Sequence, residues 1–139
     1  MNLIAEELIK KHEGLMLKVY ICPSGYNTIG YGRNLDTKGI SKSEADLLLV
    51  NDVKQWEKEL TEQLDIFSKL SEIRQAALID MAHNLGIEGL LGFKKMIGFA
   101  RQGEFGKAAV EILSSKYGIQ VPKRAVEIAR MFQSGVIQV

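Results

Sequence analysis

The chain has 139 residues, 46% of them hydrophobic and 25% charged, which suits one soluble domain with a sizeable core. The net charge of +1 gives no argument for nucleic acid, and a single cysteine excludes an intramolecular disulfide. Charge is uneven, however: residues 1–90 carry 10 basic and 14 acidic side chains, residues 91–139 carry 8 and 3, and such a basic final third suits either an anionic polymer or a solvated helical surface.

The first residues, MNLIAEELIK, include two glutamates and no uninterrupted apolar region, so no secretory signal is read there. No apolar run approaches the ~20 residues of a membrane span. The expectation is a chain that starts soluble inside the cell that makes it, without stable membrane insertion. Residues 2–12 read as an amphipathic helix with Leu3, Ile4 and Leu8 on its inner face and Gly14 permitting the exit. Glu13 then stands at the negative end of a helix, which favours the protonated carboxyl that a proton donor needs. Taken alone, a glutamate in that place reads as surface charge. Leu15, Leu17 and Val19 share one parity and predict a strand, Pro23-Ser24-Gly25-Tyr26 predicts a turn, and Thr28-Ile29 resumes the sheet. With Ser24-Gly25-Tyr26 as the loop, Cys22 lies directly across from Thr28 on one sheet face, whereas a one-residue slip separates them.

Residues 30–40 continue the sheet and turn into a polar loop. Ser41-Lys42-Ser43-Glu44 matches a capping box. It opens a long helix, about 42–60, with Ala45, Leu48, Leu49, Val53, Trp56 and Leu60 in one stripe. Further helices are predicted over Ser71–Leu85, with Ile73, Ala76, Ala77 and Met81 inward and Gly86 as the stop, over Gly92–Arg101, and over Glu104–Ser115 with Phe105, Ala108, Ala109 and Ile112 on one face. A last helix runs from Pro122 to about Gln133, with Gly135 after it. The predicted fold class is α+β, in one domain over 1–139. A small lobe holds helix 2–12 and a two- or three-stranded sheet in about 13–40, a helical lobe covers about 61–139, and the helix 42–60 joins them.

Three constellations could carry chemistry. Glu13 with Cys22 and Thr28 sets a carboxyl able to protonate a leaving oxygen beside small groups able to hold a water, which is half of the two-carboxylate plan of glycosidases. The second carboxylate is missing, and the next acid, Asp36, falls in the loop beyond the sheet. Cys22 with His12 or His83 would be a thiol nucleophile and its base, but no local protease signature surrounds Cys22. Two histidines among scattered acids, without HExxH, argue against a metal site, and no cofactor is expected. Gly30-Tyr31-Gly32 is too short for a nucleotide fingerprint, and His83 reads as a packed or surface histidine.

The stretch HEGLMLKVYICPSGYNTIGYG, residues 12–32, resembles the phage-type lysozymes of glycoside hydrolase family 24, the endolysins related to the T-even phage lysozymes. The active-site pattern of that family is Glu, eight residues, Asp or Cys, five residues, Thr; Glu13, Cys22 and Thr28 fit both gaps, and TIGYG, residues 28–32, fits the family's continuation from the threonine. The segment AALIDMAHNLG, residues 76–86, is similar to the family's central helix, with Asn84 in the place of a cleft-lining amide. The segment YGIQVPKRAVEIARMFQSG, residues 117–135, resembles its final helical motif. There Gln120 matches a substrate-side amide, and Arg124 matches the arginine that reaches toward the catalytic glutamate.

The resemblance implies a lysozyme-like fold and hydrolysis of the β-1,4 bond between N-acetylmuramic acid and N-acetylglucosamine in peptidoglycan. It makes Glu13 the general acid, lets Thr28 position a water or the sugar, and puts Cys22 where the T-even enzymes have Asp. A thiol there serves as a base, as a holder of the water, or as a nucleophile, and these readings stay open. It further implies a monomeric, bacteriolytic phage or prophage endolysin, held in the host bacterial cytoplasm until a holin-type pore releases it to the wall. A lytic transglycosylase acting on the same bond, and an inactive glycan-binding relative, are the alternatives. Two features depart from the family: only about eight residues separate Gly32 from Ser41, a short small lobe, and Arg33 stands where the family often has histidine, which puts in question the ion pair that histidine makes.

Overall fold

The structure is a computed structural model and describes residues 1–137. In chain order it comprises α1 (Leu3–Glu13), β1 (Met16–Ile21), β2 (Asn27–Gly30), β3 (Arg33–Asn34), α2 (Lys42–Gln63), a 3-10 turn (Phe67–Lys69), α3 (Glu72–Leu91), α4 (Lys94–Arg101), α5 (Phe105–Leu113), α6 (Lys116–Gln120) and α7 (Pro122–Ser134). The architecture is α+β, as the pattern of elements predicts. The chain divides into two compact units, Met1–Leu48 and Leu49–Val139, and the division falls inside α2. No helix among the described residues is long and apolar enough to cross a membrane.

In the first unit the Asn2 side chain accepts from the Ala5 amide and caps α1, and Gly14, at φ 70°, ends it. Glu13 is therefore the last residue of the helix, one position further than the expected 2–12. The predicted inner face of α1 is not buried. Leu3, Ile4 and Leu8 are all exposed, because the small sheet of their own unit does not cover the stripe that their spacing makes. The three strands form an antiparallel sheet in the order β1-β2-β3. Thr28 is the one buried side chain among the described residues of this unit.

The capping box forms as predicted. Ser41 Oγ accepts from the Glu44 amide at 3.2 Å, and the Glu44 carboxylate accepts from the Ser41 amide at 2.9 Å. The same carboxylate takes both arms of Arg33, Nη1 at 3.0 Å and Nη2 at 2.9 Å, so Arg33 makes its own ion pair in the position that histidine often fills. The Arg33 hydrogen bond first, then the Ser41 amide and hydroxyl, hold the Glu44 carboxyl down at about 2, from an ordinary 4.5. A depressed carboxyl stabilises the fold above its unfolded value, and that contribution is lost as pH falls through the folded one. Wild type should therefore melt above Glu44→Gln near neutral pH, and the difference should close as pH is lowered from 4.5 to about 2. Parallel melting curves across that window would show the pair to be energetically idle.

The second unit holds the core. Leu60, Phe67, Leu78, Met81, Leu90, Met96, Ile112 and Phe132 are fully buried, large apolar side chains whose removal from water drives the packing of α3, α5 and α7. Within α2 the predicted stripe is buried only at Leu60; Val53 and Trp56 are half-buried, and Ala45, Leu48 and Leu49 are exposed. In α3, Ala77 and Met81 are buried as predicted and Leu78 and Ala82 join them, while Ile73 is half-buried and Ala76 is exposed. Gly86, at φ 77°, interrupts α3 as expected, but the helix resumes beyond it to Leu91. That extension moves the start of α4 from the predicted Gly92 to Lys94. The expected 104–115 helix shortens to Phe105–Leu113, and Ser115 caps a separate short helix, α6, by accepting from the Gly118 amide. Pro122 opens α7 and Gly135, in the left-handed region, closes it.

Candidate active site

The hairpin decides which side chains meet. The Cys22 amide donates to the Tyr26 carbonyl at 3.0 Å, and the Gly25 amide donates to the Cys22 carbonyl at 2.8 Å. The loop is therefore Pro23-Ser24-Gly25, with Gly25 at φ 88°. Thr28 pairs with Tyr20 and Asn27 with Ile21. This corrects the register expected from the sequence, in which Cys22 lay directly across from Thr28. Proline has no N–H to give to a ladder, and its fixed φ suits the first central position of a turn, so Pro23 belongs to the loop and not to a strand. The shift amounts to two residues, and side-chain parity has a period of two. Tyr20, Cys22 and Thr28 consequently stay on one face, and Cys22 meets Thr28 along a diagonal instead of directly.

Thr28 is 3% exposed, and its hydroxyl donates to the Tyr26 carbonyl at 2.9 Å. Its oxygen also has lone pairs for an incoming donor. Cys22 is partly buried. The Tyr26 backbone hydrogen bond holds its thiol below the ordinary range, partial burial opposes this, and the Thr28 hydroxyl with the Ser24 and Gly25 backbone adds to the lowering.

Glu13 is positioned by the last turn of α1 in the same unit. Lys10, one turn earlier in α1, lies 5.6 Å from the centre of the Tyr31 ring, and the Glu13 carboxyl lies against the backbone of Gly32. A Cβ added at Gly32 would stand 2.5 Å from Glu13 Oε2 and 2.6 Å from its Cδ. The last turn of α1 thus rests on the link between β2 and β3, with the carboxyl on a bare stretch of backbone. Asp36, the other acid near the sheet, is occupied: its carboxylate accepts from the Asn27 amide at 2.8 Å and from Asn27 Nδ2 at 3.2 Å, tying the loop to β2.

In the second unit Asn84 is exposed on α3 and Gln120 is exposed at the end of α6. Arg124, on α7, donates from Nε to Asp80 Oδ1 at 2.8 Å and from Nη2 to the Asp80 carbonyl at 3.3 Å. Beside this pair the Tyr117 hydroxyl is buried without a protein hydrogen-bond partner among the described residues. Burial pushes this phenol above its ordinary range, Asp80 adds to the rise, and Arg124 opposes it. Sequence reasoning carries Asp80 only inside the segment 76–86, although it stands one helical turn before Asn84 on the same face of α3. Gly32 and Tyr117 enter it only as members of longer motifs. His83 accepts from the Trp56 indole N–H at 3.1 Å through Nδ1 and is an exposed surface histidine of the second unit.

A family model described as phage lysozyme matches residues 10–124. A protein of Dictyostelium discoideum named probable T4-type lysozyme 2 is 26% identical over 163 aligned positions, covering 96% of this chain and 95% of that protein. The alignment is longer than the chain itself, so that relative carries residues which this chain lacks. An endolysin of Acyrthosiphon pisum secondary endosymbiont phage 1 is 34% identical over 83 positions, 58% of this chain and 56% of the endolysin. The pre-baseplate central spike protein Gp5 of Enterobacteria phage T4 is 23% identical along 99% of this chain, which corresponds to 29% of Gp5.

Proposed function

The chain belongs to the phage lysozyme family, with an α+β lysozyme-like fold, and on that premise we propose that it is an endolysin-type muramidase. It hydrolyses the β-1,4 bond between N-acetylmuramic acid and N-acetylglucosamine, with Glu13 as the general acid. The observation that carries this reading is the first unit itself: a carboxyl at the end of α1, seated on Gly32, in the same small unit as a hairpin face that presents Cys22 and Thr28 together. Glu13 gives its proton to the glycosidic oxygen as the bond to C1 breaks. The Thr28 oxygen accepts a hydrogen of the water that adds to C1, and Cys22, acting as its thiolate, takes the proton which that water loses. Asn84, Gln120 and Arg124 supply polar contacts to the substrate. The enzyme acts as a monomer on the cell wall, after release from the host cytoplasm through a holin-type pore.

The test is mass spectrometry of fragments released from purified sacculi by wild type and by Glu13→Gln. Muropeptides with reducing ends, from wild type alone, are the expected result. Anhydro ends would make the protein a lytic transglycosylase. Binding to sacculi without fragments would make it a glycan-binding protein.

A further inference from the structure

The part of α2 that belongs to the second unit is held there by few side chains. Between residues 49 and 63 only Leu60 is buried, with Val53 and Trp56 half-buried. Trp56 packs at the margin of the core. Its indole N–H donates to Nδ1 of His83 on α3 at 3.1 Å, and the two rings meet edge-on, with centroids 6.4 Å apart and planes at 74°. Among the described residues this is the one side-chain hydrogen bond from that stretch of α2 to another element; those of Gln55 and Thr61 stay within the helix. An indole N–H only donates, and an imidazole nitrogen accepts only when it is bare. The bond therefore exists with one form of His83, the neutral ring whose hydrogen is on Nε2. His83 is exposed, so protons from solvent reach it.

We infer that Trp56 and His83 form a pH-operated latch, which fastens α2 to α3 while the imidazole is neutral and lets go when it is protonated. Histidine is the side chain whose charge changes between about pH 5 and 8. Protonation puts a second hydrogen on the ring, at Nδ1. Two donors then face each other across the former bond, the added charge stands against the positive edge of the indole, and the Trp56 N–H turns to water. The charged groups on the elements that meet here are Asp80, one turn before His83 on α3, Arg124 of α7, which holds Asp80, and Asp52 and Glu59, one turn either side of Trp56 on α2. None of them bonds to the imidazole, so the switch is carried by the Trp56–His83 pair itself. What it controls is the hold on α2, the helix within which the two compact units divide. The inference does not rest on the muramidase reading.

The chain has one tryptophan and two histidines, so fluorescence reads the pair directly. On acidification of the full chain from about pH 8 to about pH 5, Trp56 emission should move to the red and weaken in a single titration, since an imidazolium quenches a neighbouring indole. His83→Gln should hold its emission constant, because the amide oxygen accepts from the indole without titrating. His12→Gln, altered at the other histidine, should titrate like wild type. So should Glu13→Gln, which separates this result from the fate of the catalytic assignment. Hydrogen exchange over residues 53–60, corrected for the intrinsic effect of pH, reads the hold on α2. Wild type should lose protection roughly two- to tenfold across the titration, the range that one hydrogen bond supplies. Trp56→Phe keeps a ring at the core margin without the N–H, and at the alkaline end it should already be as weakly protected as wild type at the acid end. A flat wild-type emission would overturn the latch, as would a titration that survives in His83→Gln or disappears in His12→Gln. Equal protection of wild type and Trp56→Phe at the alkaline end would overturn it too, by showing that the bond does not hold α2.

Discussion

Gly32→Ala should lose lytic turnover nearly as fully as Glu13→Gln, although it adds a single methyl group. That methyl has two effects. The first is backbone strain, since Gly32 sits at φ 73°, where a residue with a Cβ costs about 1–3 kcal/mol. The second is contact: the new Cβ would stand 2.5–3.0 Å from Oε2, Cδ and Cγ of Glu13. Glu13 is exposed, and its carboxyl is the far end of a flexible side chain, so the overlap is relieved by the acid swinging away and not by unfolding. A displacement on the order of 1 Å costs roughly 10²-fold in rate, and complete loss of the acid's role costs roughly 10²- to 10⁴-fold. Gly30→Ala separates the two effects. Gly30 has φ 71° and nothing within 4 Å of its Cβ position, so it carries the same strain without touching Glu13. The expected outcome is a similar fall in melting temperature for both variants, with turnover of sacculi lost only in Gly32→Ala. Equal activity losses would show that strain, not displacement of the carboxyl, is what the alanine does.

The contrast between these two glycines shows where sequence reasoning reaches and where it stops. Signals confined to a few residues were legible: the reciprocal Ser41–Glu44 cap, Gly14 and Gly135 as helix ends, and Pro122 at a first turn all depend on neighbours within one turn of chain. The spacing of Glu13, Cys22 and Thr28 was legible as a pattern. Its geometry was not, because the hairpin register depends on whether Pro23 sits in the loop or the strand, and the sequence allows both. The Glu13–Gly32 contact closes 19 positions of chain and the Asp80–Arg124 pair closes 44; neither has a periodicity that could announce it. The exposed face of α1 is the opposite case. Its spacing is regular, but a stripe predicts a buried face only where the fold supplies a cover.

The same limit applies to Arg74, which no motif singles out and whose replacement should cost more stability than any surface residue of the second unit. Arg74 lies in the first turn of α3 and reaches the far end of α7, where it donates from Nε to the Phe132 carbonyl at 2.6 Å and from Nη2 to the Gln133 carbonyl at 2.9 Å. The last carbonyls of a helix have no partner inside it, so a cation at this end satisfies hydrogen bonds and opposes the helix dipole together. Its guanidinium carbon also lies 3.7 Å from the centre of the Phe105 ring, and Phe105 meets Phe132 edge-on at 5.6 Å. One side chain therefore joins α3, α5 and α7. Two hydrogen bonds from a charged donor plus a partly desolvated cation–π contact suggest about 2–4 kcal/mol lost in Arg74→Ala, or a fall in melting temperature of roughly 10 °C. Arg74→Lys keeps the charge, but a single ammonium does not reproduce the fork that spans both carbonyls, so it should recover less than half of the loss. Amide hydrogen exchange in the last turn of α7 should accelerate in both variants, more in the alanine. A loss below about 1 kcal/mol in Arg74→Ala would mean that water replaces the guanidinium at these carbonyls with little penalty, and that apolar packing holds the three helices together without it.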